Sequence, residues 1–427
     1  MNVMRKILFL TIIAFISAGS LLAQKSALRD SKRSLGRDDF NEARTLIQQA
    51  AQNPETANDP ETWKIMGDIG NKAFDNERTK AMLGQNANDT AMYVGLMESY
   101  APYLKADSLG QIPDEKGRVR NKVRGDISSI LQANHPFYIN GGVYYNDQGN
   151  YSKAADFFEM YWNIPTLPLY DKPESTFSLD STYQTIKYYA IITAIQAEQH
   201  ERALAMLKRA TSEPFIENSS YQESDLYELM ASEYINLGDS AMYLETLNLG
   251  AEKFPKSKYF IPNLVNVFIR EGNTEKAMQY LDQAISNDPT NSCDLNSVKG
   301  ALLAEQGDFE GAESEYKKAL VQDPNCERAL EALAVNYILQ AQNIKEASVQ
   351  ISDRQQQVAN DEKAIKFYEA SLAPLEKYAE LLRSRDASES EKQSALLKLR
   401  NVYYNLSNMG IDKSTEMEAV EKELNLN

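Results

Sequence analysis

The chain has 427 residues, of which 43% are hydrophobic and 25% charged, and a formal net charge of −16. Length and apolar content allow several cores or one long stacked one. The acidic balance excludes the basic footprint of a nucleic-acid binder and electrostatic attachment to anionic lipid.

Arg5 and Lys6 precede an apolar run, Ile7 to Ile16, and small residues follow it as far as Ala23. The run is too short to span a bilayer. Residues 1–23 therefore read as a secretory signal peptide cleaved before Gln24. The expectation is an exported chain, periplasmic or surface-exposed, with no membrane span after cleavage. With no cysteine near the cut, a lipid anchor is not expected.

Beyond the leader the periodicity is helical. Phe40, Ala43, Ile47 and Ala50 share one face of a second helix. The helix before it is polar, as a terminal unit facing water would be. A second unit opens near Pro60 with Trp63, Met66 and Gly67; its second helix is expected over 90–105. Gly110, Pro113 and Gly117 break the pattern and make 107–125 a linker. Its Lys116, Arg118, Arg120, Lys122 and Arg124 read as a solvated face balanced by nearby acids. Arg124-Gly125-Asp126, an adhesion-like tripeptide, reads as chance.

A third unit, from His135 to Leu167, carries Gly142, Tyr145, Gly149, Ala154 and Phe158. A fourth, over 184–217, has Ala203, Leu207 and Ala210 on its second helix. A fifth, over 224–257, departs from the pattern at Tyr243, where alanine is usual.

Two segments then agree in register: IPNLVNVFIREGNTEKAMQYLDQAISNDP, and NSVKGALLAEQGDFEGAESEYKKALVQDP. Gly272 falls over Gly307, Ala277 over Ala312, Ala284 over Ala319, and Asp288-Pro289 over Asp323-Pro324. Glycine permits a left-handed exit from the first helix, alanine lets helix backbones approach, and Asp-Pro stops the second helix. A period of about 34 residues with two helices per unit resembles the tetratricopeptide repeat. The resemblance is strongest over 258–326 and weakens before 60 and after 345.

An eighth unit begins at Glu327. From Asn343 to about Ser384 the sequence reads as an extended or inserted helix with a polar middle, SDRQQQVANDEK. A closing pair follows over 390–426, with Leu399, Val402, Tyr403 and Leu406 inward. The expected divisions are leader 1–23, degenerate repeats and linker 24–134, core array 135–342, and insertion and cap 343–427.

The resemblance implies an all-α, right-handed solenoid of about eight helical hairpins with a C-terminal cap. It implies binding of a protein or peptide segment in a groove lined by first helices, without catalysis or cofactor. Groove-facing positions would be Asp225, Glu228, Ser232, Ile235 and Asn236; then Tyr259, Pro262, Asn266, Ile269 and Arg270; then Asp294, Ser297, Ala301, Ala304 and Glu305. From these, Glu228, Asn236, Tyr259, Asn266, Arg270, Ser297 and Glu305 are the candidate partner-binding residues. Lysine and asparagine do not recur, so the carboxylate clamp of some relatives is not expected.

Cys293 and Cys326 are the only two cysteines, and they fall near the same end of neighbouring first helices. In an exported chain they are candidates for a disulfide. His135 and His200 are the only histidines, and no CxxC, HExxH, GxSxG or phosphate loop is present. No catalytic or metal-binding set is expected. Asp89-Thr90-Ala91, Asp107-Ser108-Leu109, Asp180-Ser181-Thr182 and Asp239-Ser240-Ala241 resemble the O-glycan acceptor of exported Bacteroidetes-type proteins, and helix capping is the competing reading. The leading function is an envelope interaction scaffold. The alternatives are an accessory subunit of a transport or secretion complex, and a hydrolase with an unrecognised carboxylate pair.

Overall fold

Side-chain caps set where the helices begin. Asp39, Asp59, Asn88, Asn150, Asp180, Asp239, Asp308 and Asp353 each accept a bond from a backbone N–H in the first turn of the helix that follows. Each satisfies a donor that the helix cannot satisfy itself. Asp180 and Asp239 are thus caps, whatever else their triplets do.

The computed structural model describes residues 26–287 and 292–424; the leader expected at 1–23 lies outside them. Among the described residues there are helices and turns and no strand. The chain divides into two units between Leu237 and Gly238.

The first unit holds α1 (26–36), α2 (Phe40–Gln52), α3 (Pro60–Met82), α4 (Asp89–Gly110), α5 (Arg124–Asp147), α6 (Tyr151–Asn163), the short α7 (Pro173–Thr176), α8 (Ser181–Gln196), α9 (His200–Ser212) and α10 (Glu223–Asn236). Ala43, Ala154 and Ala203, one on each of α2, α6 and α9, are wholly buried. A methyl group there keeps helix axes close. Trp162, Tyr103, Tyr138, Phe74 and Phe157 fill the core between hairpins.

Two helices run beyond their expected limits. α4 continues through Pro102 to Gly110, and α5 starts at Arg124 and passes through Pro136. Each proline removes the bond to the carbonyl four residues back. Those carbonyls belong to Glu98 and Gln132, and both helices continue past them without a break. The linker narrows to 111–123. There Asp114 pairs with Arg118 and Arg120, and the buried Asp107 with Arg124. Asp126 lies 3.7 Å from Lys64. The basic cluster and the tripeptide are in part internally paired.

The second unit holds α11 (Ser240–Lys253), α12 (Phe260–Arg270), α13 (Thr274–Asn287), α14 (Ser292–Glu305), α15 (Phe309–Gln322), α16 (Glu327–Val349), α17 (Arg354–Ser384), α18 (Glu389–Asn408) and α19 (Ser414–Glu423). Gly272 and Gly307 adopt φ of 70° and 82° at the hairpin turns. Ala277 and Ala312 are wholly buried across them. Tyr243 takes the alanine position on α11, and its hydroxyl reaches Asn263 of α12. Asn343 lies inside α16, which turns at 350–353 into α17. Ala334, Ile338 and Ala341 share one core with Ala364, Tyr368 and Leu375, so the two helices form a long hairpin. Leu396, Leu399, Val402, Tyr403, Leu406 and Val420 extend that core into α18 and α19.

Candidate functional site

The second unit carries most of the candidate binding residues on α12 and α14. Phe260, Ile261, Leu264, Val265, Val267 and Phe268 bury the inner face of α12. This turns Asn266, Ile269 and Arg270 to solvent. The Asn266 side-chain amide makes no hydrogen bond among the described residues, and Arg270 donates only from Nε, to the Asn266 carbonyl at 3.3 Å. Arg270 also lies near Tyr243, where burial raises the phenol pKa and the guanidinium offsets part of the rise. Tyr259 precedes α12, half-buried, its ring edge-on to Phe260 at 5.4 Å.

On α14, Glu305 is exposed beside Tyr316, whose phenol is pushed up to about 12 by burial and then by that carboxylate. Ser297 is not available to a partner. It is 1% exposed, and its hydroxyl donates to the Cys293 carbonyl at 2.7 Å. The cause is the segment before α16, which lies over it: Cys326 Sγ is 3.9 Å from Ser297 Oγ. Cys293 and Cys326 are bonded as a disulfide, with Cα atoms 6.0 Å apart. The bond ties the first turn of α14 to the cap of α16.

Glu228 and Asn236 lie on α10 in the first unit. Glu228 is half-buried near Tyr188, whose phenol is raised by burial and then by Asp225 and Glu228. Asn236 is exposed, and its Nδ2 donates to Glu233 Oε1 at 3.0 Å. The other oxygen of that buried carboxylate holds His200 Nδ1 at 2.8 Å. His135 is buried, stacked 4.0 Å from Tyr161, and its Nε2 donates to the Tyr161 carbonyl. The two histidines thus sit in separate structural contacts. Among the described residues no group of three or more His, Cys, Asp or Glu is arranged to hold a metal ion.

A recess beside α12 was not signalled by the repeat pattern. It is lined by residues of α12, α13, α14 and the segment before α12, including Lys256, Lys258, Ile261 and Leu295. Only the coincidence of two lysines at a unit junction could have pointed to it.

The family model for the tetratricopeptide repeat matches residues 263–291. The matched segment is a tetratricopeptide repeat, and its turn glycine and buried alanine recur in the neighbouring hairpins. No match is found among curated proteins. Among solved structures, one similar chain is YrrB, described as a TPR protein with an unusual peptide-binding site. It is 18% identical, with 46% of this chain and 89% of that one covered and a TM-score of 0.30. The C-terminal part of a TPR repeat-containing protein from Cytophaga hutchinsonii is 14% identical over 61% and 93%, with a TM-score of 0.34. MamA is 16% identical over 44% and 95%, at 0.29. Among the described residues no helix is long and apolar enough to cross a membrane.

Proposed function

We propose that this chain is a non-catalytic scaffold that binds a protein or peptide segment on the exposed face of α12 and α14. The observation that carries this reading is on α12. Asn266 and Arg270 stand one turn apart with polar heads that make almost no bonds among the described residues. A side-chain amide offers a donor and an acceptor together, which suits the backbone of an extended segment. Ile269 adds apolar surface between them, and Tyr259 supplies an aromatic anchor of the kind that dominates interface energies. An exported setting fits the leader expected at 1–23 and the Cys293–Cys326 bond, which persists in oxidising compartments.

The test is a combined change, Tyr259→Ala, Asn266→Ala and Arg270→Ala, in quantitative capture of partners from cells. Recovery of the specific partner should fall at least tenfold with helicity unchanged. Unchanged recovery would remove the binding face from this account.

A further inference from the structure

The recess beside α12 has a volume of about 160 Å³. Ile261 and Pro262 of α12, Ala284 of α13 and Leu295 of α14 make its apolar walls. It is well below the ~300–1,000 Å³ of small-molecule sites. That volume suits one inserted side chain better than a cofactor or a packed helix. Pro262 and Asp294, both lining residues, also hold groove-facing positions of their repeats. The recess therefore adjoins the face that carries Asn266 and Arg270.

Its charge departs from that of the chain as a whole. Lys256 and Lys258 line it, both are exposed, and neither has an ion-pair partner among the described residues. Among the described residues Asp294 is the one acid in the lining. In a chain of net charge −16 this is a locally positive rim around an apolar hole.

We propose that the recess takes a single aliphatic side chain of a partner segment that carries carboxylates on either side of it. Burial of that side chain would supply most of the affinity. The rim lysines would select acidic over basic segments, because charges at the edge of an interface govern encounter and choice more than strength. The assignment rests on the binding face proposed above and names the chemistry of its occupant.

The experiment is fluorescence anisotropy of three labelled synthetic peptides titrated with the full chain at low salt. One has a central leucine flanked by aspartate and glutamate. The second replaces that leucine with alanine, and the third replaces the acids with lysine. The acidic leucine peptide should bind, and the alanine and lysine peptides each at least tenfold more weakly. Lys256→Glu with Lys258→Glu should weaken the first peptide about tenfold without moving the melting temperature, and moderate salt should act in the same direction. Leu295→Ala should weaken it independently of salt. Equal binding of acidic and basic peptides, insensitivity to the two lysine changes, or no binding of any peptide would overturn the assignment. The binding face is judged separately, by the Tyr259, Asn266 and Arg270 capture experiment. If capture falls there while the peptides fail, the recess alone is lost.

Discussion

Replacing Gly70 with alanine should destabilise the first unit, although the same change in an open helix would stabilise it. Gly70 on α3 faces Gly95 on α4 at the crossing of the two helices. A Cβ at Gly70 would stand 2.6 Å from the Gly95 carbonyl oxygen and 2.9 Å from the Ser99 nitrogen. A Cβ at Gly95 would meet the Gly70 carbonyl at 2.7 Å and the Phe74 nitrogen at 2.8 Å. These are backbone atoms, so no rotamer change relieves the overlap and the helices must separate. Separation loosens Phe74 and Leu96, both wholly buried. Overpacking of this kind costs about 1–3 kcal/mol and occasionally more, against a helix-propensity gain of about 1 kcal/mol. The net expectation is a loss of roughly 1 kcal/mol, and up to about 2, for Gly70→Ala and more for Gly70→Val. The double change with Gly95→Ala should cost less than the sum, because both act on one crossing. Gly125 in α5 has nothing within 4 Å of its would-be Cβ, and Gly125→Ala is the control, neutral or slightly stabilising. Urea denaturation followed by tryptophan fluorescence reads this unit specifically, since Trp63 and Trp162 are the only tryptophans and both lie in it. A Gly70→Ala protein as stable as the Gly125→Ala control would refute the close crossing of α3 and α4.

Four further outcomes follow from the geometry. Burial, partly offset by the bond to the Tyr161 carbonyl, holds His135 down to about 4 from an ordinary 6.5. The unfolded chain then binds the extra proton first, so stability of the first unit should fall as pH drops from 6.5 towards 4, by up to about 3 kcal/mol. His135→Phe should flatten that slope in pH-dependent urea melts. Losing the Cys293–Cys326 bond, by Cys293→Ser with Cys326→Ser, should cost the second unit about 4 kcal/mol on the chain-entropy model for a separation of 33 residues. Thermal melts with and without reductant measure it, and two alkylatable thiols in unreduced, denatured protein would contradict the bond. Gly307→Pro should prevent the α14–α15 turn from forming, because φ is 82° there and the N–H bonds to the Ala304 carbonyl. Loss of helicity by circular dichroism is the readout. Glu198→Gly should stabilise by up to about 1 kcal/mol in thermal melts, since Glu198 holds a left-handed φ of 57° at the equivalent α8–α9 turn.

The hairpins were legible because each rests on local chemistry. Gly149-Asn150, Gly272-Asn273 and Gly307-Asp308 combine a left-handed glycine with an N-cap residue or turn acceptor, and buried alanines recur one turn into the next helix. That α5 runs unbroken from Arg124 through Pro136 was not legible, because Pro136 looks like a first-turn proline when only sequence is in view. The α16–α17 hairpin was hidden by the polarity of 352–363, which marks a turn and a solvated first helical stretch. Register put Ser297 on the groove, but a distant segment carrying Cys326 covers it. For the same reason the recess between α12 and α14 was invisible: it is made where three helices meet, and no repeat position encodes it.

The binding face is tested most directly by site-specific photocrosslinking in cells, with a photoreactive residue at position 266 or at position 283. Asn266 is on the exposed face of α12, and Gln283 is exposed on α13, the second helix of the same hairpin. Position 266 should capture one partner segment, identified by mass spectrometry, and position 283 should capture little. Equal capture from both positions, or capture from 283 alone, would contradict binding on the face of the first helices.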